Sequence, residues 1–88
     1  MIRVVLEPKE SRAAAYDGET RVGLCEYTRQ NGVWAIMHTE TSPDYGGQGI
    51  AARLVACVAE AARAAGVRID PVCPYAAKWI EKNAPALR

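Results

Sequence analysis

Two periodicities divide this chain. Over its first half, apolar positions recur at every second residue. Val22 and Leu24 fall on one face of the segment Thr20 to Arg29, and Cys25 and Tyr27 on the other. Between Val33 and Thr41 the same alternation sets Val33, Ala35 and Met37 against Trp34, Ile36 and His38. A period of two is that of an extended strand, whose side chains point alternately to opposite faces. Both faces of these segments are fairly apolar, which predicts central strands covered on each side. Arg12 to Tyr16 predicts another strand, and Ile2 to Leu6 a further one. The dipeptides Asp17-Gly18 and Asn31-Gly32 separate the segments. They accept the positive φ angles of tight hairpin turns, so this part of the chain is predicted to be an antiparallel meander.

From Gln48 to Ala65 the period lengthens. Ile50, Leu54, Cys57, Val58 and Ala61 form a stripe at helical spacing, opposite Arg53, Ala56, Glu60 and Arg63. Gly66 follows, the usual residue for leaving a helix in the left-handed conformation. Val67 to Val72 predicts a short strand, which a crossover helix must set parallel to the strand before it. Pro74 suits the first turn of a last helix, Tyr75 to about Asn83, and the tail from Ala84 to Arg88 is expected to fray. The predicted fold class is α+β: a meander, one β-α-β unit and a C-terminal helix within a single domain spanning residues 1–88.

Composition narrows the function without naming it. With 88 residues, 50% of them hydrophobic and 24% charged, the chain reads as one small globular domain. A net charge of +1, with signs mixed along the sequence, gives no footprint for nucleic acid or a membrane surface. The N-terminus meets Glu7, Lys9 and Glu10 too soon for a signal-peptide core, and no apolar run is long enough to span a bilayer. Cys25, Cys57 and Cys73 are odd in number and widely spaced. They fit neither a disulfide framework nor a zinc pattern, so no metal and a reducing, cytoplasmic setting are expected. Cys25 and Cys57 lie within apolar stretches and read as packing residues, while Trp34 and Trp79 read as core or rim anchors.

The chemistry concentrates where the period changes. His38-Thr39-Glu40-Thr41 ends a strand, Gly46-Gly47-Gln48-Gly49 makes a glycine-rich turn, and a long helix begins at once. The first amides of a helix have no intrahelical acceptor, and glycines let a ligand approach the backbone closely. Such a turn is a cradle for phosphate. Gly47-Gln48-Gly49-Ile50-Ala51-Ala52 formally matches the dinucleotide fingerprint, with Asp70 near the expected acidic position. That fingerprint opens a repeating β-α unit, whereas here hairpins precede the turn and too little chain follows Val72 for further repeats.

Pro43-Asp44-Tyr45-Gly46-Gly47-Gln48-Gly49-Ile50-Ala51 resembles the acetyl-CoA motif of the GNAT (GCN5-related) N-acetyltransferases. Gly49 and Ala51 match the motif's last two fixed positions; Gly46 stands where the family has Arg or Gln. More specifically, His38-Thr39-Glu40, the glycine turn and Pro71-Val72-Cys73-Pro74-Tyr75 together resemble the short, single-domain GNAT-like group, from about Arg12 to Asn83. The resemblance implies a GNAT-like (acyl-CoA N-acyltransferase) fold and transfer of acetyl from acetyl-CoA (coenzyme A) to a small-molecule or peptide amine. It implies that the backbone of Met37, His38, Thr39 and Thr41 pairs with the pantetheine arm. The amides around Gly46, Gly47, Gln48, Gly49, Ile50 and Ala51 would hold the pyrophosphate. Larger members wall the acceptor site with additional N-terminal helices. Here that site is expected to be open, completed by a second copy in a homodimer, or supplied by a protein partner.

Amine acetylation needs a base for the ammonium and a proton for the departing thiolate. Glu40 and His38 share a strand face by two-residue alternation, so either can take the first role; each also reads as an ordinary exposed or packed residue. Cys73 precedes Pro74 and is predicted to be the N-cap of the last helix, where the dipole favours thiolate. In the resembling group this cysteine is the proposed active-site residue, as a proton relay or as an acetyl-accepting nucleophile. Tyr75 matches the helix position at which larger members often carry a tyrosine general acid. A module that binds acyl-CoA without catalysis would use the same cradle and none of this chemistry.

Overall fold

The computed structural model describes residues 1–88. Five strands form one sheet in the order β1 (Ile2–Glu7), β2 (Arg12–Asp17), β3 (Thr20–Gln30), β4 (Val33–Thr41), β5 (Arg68–Pro71). The first four are antiparallel neighbours, and β5 lies parallel to β4. Helix α1 (Ile50–Ala65) makes the crossover and α2 (Pro74–Asn83) follows β5. The predicted meander, β-α-β unit and last helix are all present, with ends shifted by one or two residues. At Asn31-Gly32 both turn residues have positive φ, 50° and 77°, as a two-residue hairpin requires.

Two β-bulges redirect side chains. Ala15 pairs with Gly23 and Tyr16 with Arg21, so Val22 is the extra residue. The alternation predicts Val22 on the Leu24 face; the bulge instead seats Val22 in the core cluster that holds Cys25 and Tyr27. In β4, Ile36 pairs with Tyr27 and His38 with Glu26, leaving Met37 as the extra residue. Beyond it the parity of β4 reverses: His38, predicted to share the face of Ile36, turns to the opposite one.

Both helices pack on one side of the sheet. The core unites Ala13, Ala15, Cys25, Tyr27 and Ile36 with Ile50, Leu54, Val55 and Val58 of α1 and Ala76 and Ile80 of α2. Helix α1 buries Val55, Ala59 and Ala62 beside Ile50, Leu54 and Val58, whereas Cys57 and Ala61 sit at the margin of the stripe. Trp34 stacks on Tyr27, with ring centroids 4.6 Å apart, and Trp79 packs against the same core. The other sheet face carries no helix, contrary to the expectation that both faces are covered. The shortest dimension of the molecule, 18 Å, has room for two layers only. On this open face Ala14 and Leu24 are buried in register with Val5 and Glu40. Beside them Arg12 Nε donates to Glu7 Oε1 at 2.6 Å and Tyr16 Oη donates to Glu7 Oε2.

The tail corrects the sequence reading as well. Pro85–Leu87 form a 3-10 turn, and Ala84 and Leu87 are buried in the core. Proline starts the turn and leucine anchors it, so the C-terminus closes the end of the core and does not fray. No helix is long and apolar enough to cross a membrane.

Candidate active site

The site is organised by unequal strand lengths. Strand β5 pairs with β4 from Val33 to Ile36 and then stops, with the Cys73 amide donating to Ile36 O at 2.9 Å. Met37 to Thr41 run on without a partner on that side. A strand with one unpaired edge offers its amides and carbonyls to an extended ligand. This is the stretch to which the family resemblance assigns the pantetheine arm.

Immediately beyond lies the glycine turn. Ser42 N is bonded to Val22 O at 2.7 Å, and Tyr45 Oη donates to Asp17 Oδ2 at 2.7 Å, tying the loop to the β2–β3 end of the sheet. Gly47 and Gly49 have φ of 78° and 73°. Gly49 is the N-cap of α1, and because it has no side chain, none caps the helix. No acidic residue occupies the first turn either. The helix N-terminus therefore keeps both its unpaired amides and its positive end uncompensated. Thr41, Tyr45, Gly46, Gly47, Gly49, Ile50, Ala51 and Tyr75 enclose a depression of about 280 Å³ at this point. Thr41 Oγ1 is buried beside it with no hydrogen-bond partner. An orphaned hydroxyl and a row of free amides fit the anionic, hydrogen-bonding part of an acyl-CoA.

Side chains of β4 beyond the bulge divide between two faces. His38 and Glu40 lie together on the open face, His38 Nε2 3.6 Å from Glu40 Oε1, both more than half exposed. Thr39 points to the helix side, where it pairs with Cys25 across β3. Its Oγ1 donates to Cys25 Sγ at 3.5 Å and accepts from Cys73 Sγ at 3.7 Å. Cys73 is the N-cap of α2, as predicted, and only 8% exposed.

The two thiols differ in character. Burial pushes Cys25 up to about 11, so it stays protonated. Burial acts on Cys73 in the same direction but is outweighed. The Ala76 amide, the Thr39 hydroxyl and the amides of Tyr75 and Thr39 hold this thiol below its usual value. None of the α2 amides meets the sulfur with strict hydrogen-bond geometry. Their effect is that of nearby dipoles aimed at a charge. Cys57 is pushed up by burial alone.

The structure thus gathers Thr41, Gly46, Gly47, Gly49, Ile50, Ala51 and Tyr75 around one depression, with Cys73 and Thr39 on the helix side of β4. Gln48, between two of the lining glycines, and Met37, at the bulge of β4, are exposed, and His38 and Glu40 lie on the open sheet face. Sequence reasoning missed Tyr45 as a wall of the depression, although an aromatic residue directly before Gly46-Gly47 was a usable signal. It also missed the Thr39 side chain, which it valued for its backbone alone.

Comparison with known proteins bears on the family and the fold. A sequence profile described as GCN5-related N-acetyl-transferase matches residues 12–87. None of the curated proteins matches the chain. Among solved structures, a GCN5-like protein from Staphylococcus aureus superposes with a TM-score of 0.71 at 26% identity, over 94% of this chain and 81% of the other. PaiA N-acetyltransferase from Thermoplasma acidophilum, solved in complex with coenzyme A, gives 0.60 at 16% identity, over 64% and 35%. N-acetylglutamate synthase from Neisseria gonorrhoeae, complexed with coenzyme A and N-acetyl-glutamate, gives 0.69 at 14%, over 90% and 21%. The chain spans about a third of the Thermoplasma protein and a fifth of the Neisseria one.

Proposed function

The chain belongs to the GCN5-related N-acetyltransferase family, and we propose that it moves the acetyl group of acetyl-CoA to an amine, as a single domain acting in the cytoplasm. The observation that carries this reading is the run of β4 beyond β5, from Met37 to Thr41, into uncapped helix amides at Gly49. A bound acetyl-CoA supplies an activated thioester, whose carbonyl carbon the amine attacks and whose sulfur departs. The chain's own groups do the rest. The amides of Gly47 to Ala51 hold the pyrophosphate against the positive end of α1. Edge groups of Met37 to Thr41 hold the arm extended, and the Thr41 hydroxyl gains a partner.

Glu40, with His38 beside it, takes the proton that the incoming ammonium must lose. Cys73 gives a proton to the departing sulfur and is reprotonated through solvent by the second proton, which the acylated nitrogen releases, so no covalent adduct accumulates. Tyr75, 42% exposed at the rim of the depression, walls the same corner. The open sheet face leaves the acceptor side unwalled. A small-molecule or peptide amine enters from that side, which stays open or is completed by a second copy or a protein partner.

Mass spectrometry under native and denaturing conditions, after incubation with acetyl-CoA, tests the reading. A noncovalent adduct is expected in the wild type and in Cys73→Ser alike, with amine acetylation about a hundredfold slower in Cys73→Ser. A folded protein that takes up no coenzyme A would overturn the proposal. A denaturation-stable acetyl group lost in Cys73→Ser would replace the proton-donor role with a nucleophilic one.

A further inference from the structure

One hydroxyl stands between two thiols. Thr39 Oγ1 lies 3.5 Å from Cys25 Sγ and 3.7 Å from Cys73 Sγ. A hydroxyl has one hydrogen and two lone pairs, so it can donate to only one sulfur at a time. With both cysteines protonated, the Cys73 S–H donates to Thr39 and Thr39 donates to Cys25. That arrangement leaves nothing donating to Cys73 from β4 except the backbone. If the proton leaves Cys73, rotation about one bond turns the Thr39 hydrogen from Cys25 to the new thiolate. Charged acceptors bind hydrogen more strongly than neutral ones, so the turn is favourable.

We propose that Thr39 is the positioning residue for Cys73, its hydroxyl orienting the thiol and re-aiming its hydrogen to the thiolate, while Cys25 holds that hydrogen in the resting state. The proposal rests on Cys73 as the working thiol of the site, but its test needs no acetyl transfer. The bulge at Met37 is what makes the arrangement available, because it turns Thr39 toward the helix side. The other titratable groups of this corner are Cys25 on β3, Cys57 on α1 and Tyr75 on Cys73's own helix. Asp70 on β5 is exposed, and His38 and Glu40 of β4 face the opposite way.

The measurement is the pH dependence of Cys73 alkylation by iodoacetamide, located by peptide mass spectrometry. Thr39→Val keeps the shape of the side chain and removes the hydroxyl. The inflection should rise by about one pH unit, a roughly tenfold slower reaction at any pH below it. Thr39→Ser should restore the wild-type profile, which a loss of packing alone would not do. Cys25→Ala provides an independent arm that survives a Thr39→Val variant too unstable to study. With the competing sulfur gone, the hydroxyl serves Cys73 alone and the inflection should fall. An unchanged profile in folded Thr39→Val, or an unchanged or raised inflection in Cys25→Ala, would overturn the proposal. Inactivity toward every amine alongside the expected shifts would count against the acetyltransferase reading and leave Thr39 in its role.

Discussion

Gly49 is the residue on which backbone conformation and ligand binding meet. Its φ of 73° and ψ of 16° lie in the left-handed region, and a methyl group built there would touch nothing within 4 Å. Gly49→Ala therefore isolates conformational strain from steric clash. Holding an L residue in that region costs about 1–2 kcal/mol. The loss of unfolded-chain freedom returns roughly 0.4–1 kcal/mol, so the net destabilisation is about 1 kcal/mol. For a domain of this size that lowers Tm by about 4–8 °C. Gly49→Asn should fall less, because asparagine enters the left-handed region more readily. The assay is thermal unfolding without and with coenzyme A. At about 100 times Kd the cofactor should stabilise the wild type by about 2.7 kcal/mol. The added methyl stands in the open space where phosphate would approach, so this ligand-induced rise should shrink in Gly49→Ala. An unchanged Tm in Gly49→Ala would refute the strain argument. An undiminished rise with coenzyme A would refute the placement of its phosphates at this helix end.

Three further outcomes are expected. Leu87→Ala, at a side chain 8% exposed in the core, should cost about 2–3 kcal/mol by denaturant unfolding, where a frayed tail would show no change. Glu7→Gln tests an ion pair by pH. The Tyr16 hydroxyl and the Arg12 guanidinium hold the Glu7 carboxyl below its usual value, so its stabilisation is complete above the unfolded-state pKa and fades as pH falls through the folded one. The stability gap between wild type and Glu7→Gln should accordingly be full near pH 7 and close below about pH 4; a gap independent of pH would contradict it. Cys73→Ser should lower kcat by about a hundredfold with little change in Tm, since serine is the better N-cap. A wild-type rate in this variant would remove Cys73 from the chemistry.

Much of the architecture was legible because it is written in period and punctuation. The two alternating segments, the Asn31-Gly32 turn, the stripe of α1, Gly66 and Pro74 each report a local rule that the fold obeys. What the pattern concealed is a matter of counting. A bulge adds one residue to a strand without changing its composition, and every side chain beyond it changes face. Val22 and His38 were misassigned for this reason alone. The uncovered face was hidden differently: its buried residues, Ala14 and Leu24, are apolar enough to imitate a second core side. In the site, glycines announced the cradle because few other residues tolerate that backbone. Thr39 announced nothing, since threonine is ordinary in strands and its value here comes from two cysteines distant in sequence.

The bulge in β4 also bears on how the two halves of the proposed reaction stay apart. Base and acid must not simply exchange their proton, and a carboxylate in contact with the Cys73 thiol would hold its proton more tightly in place. Beyond Met37, alternation sends His38 and Glu40 to the open sheet face and Thr39 to the side where Cys73 sits. On the proposed assignment the amine arrives and loses its proton on one face of the strand, while the sulfur leaves and gains one on the other. The backbone of β4 is the partition, and the edge it leaves unpaired beyond Ile36 is where the two meet. A strand without the extra residue would send His38 and Glu40 to the buried helix side and Thr39 to solvent. One inserted residue thus gives a small domain with a single covered face two distinct chemical environments on adjacent positions of one strand.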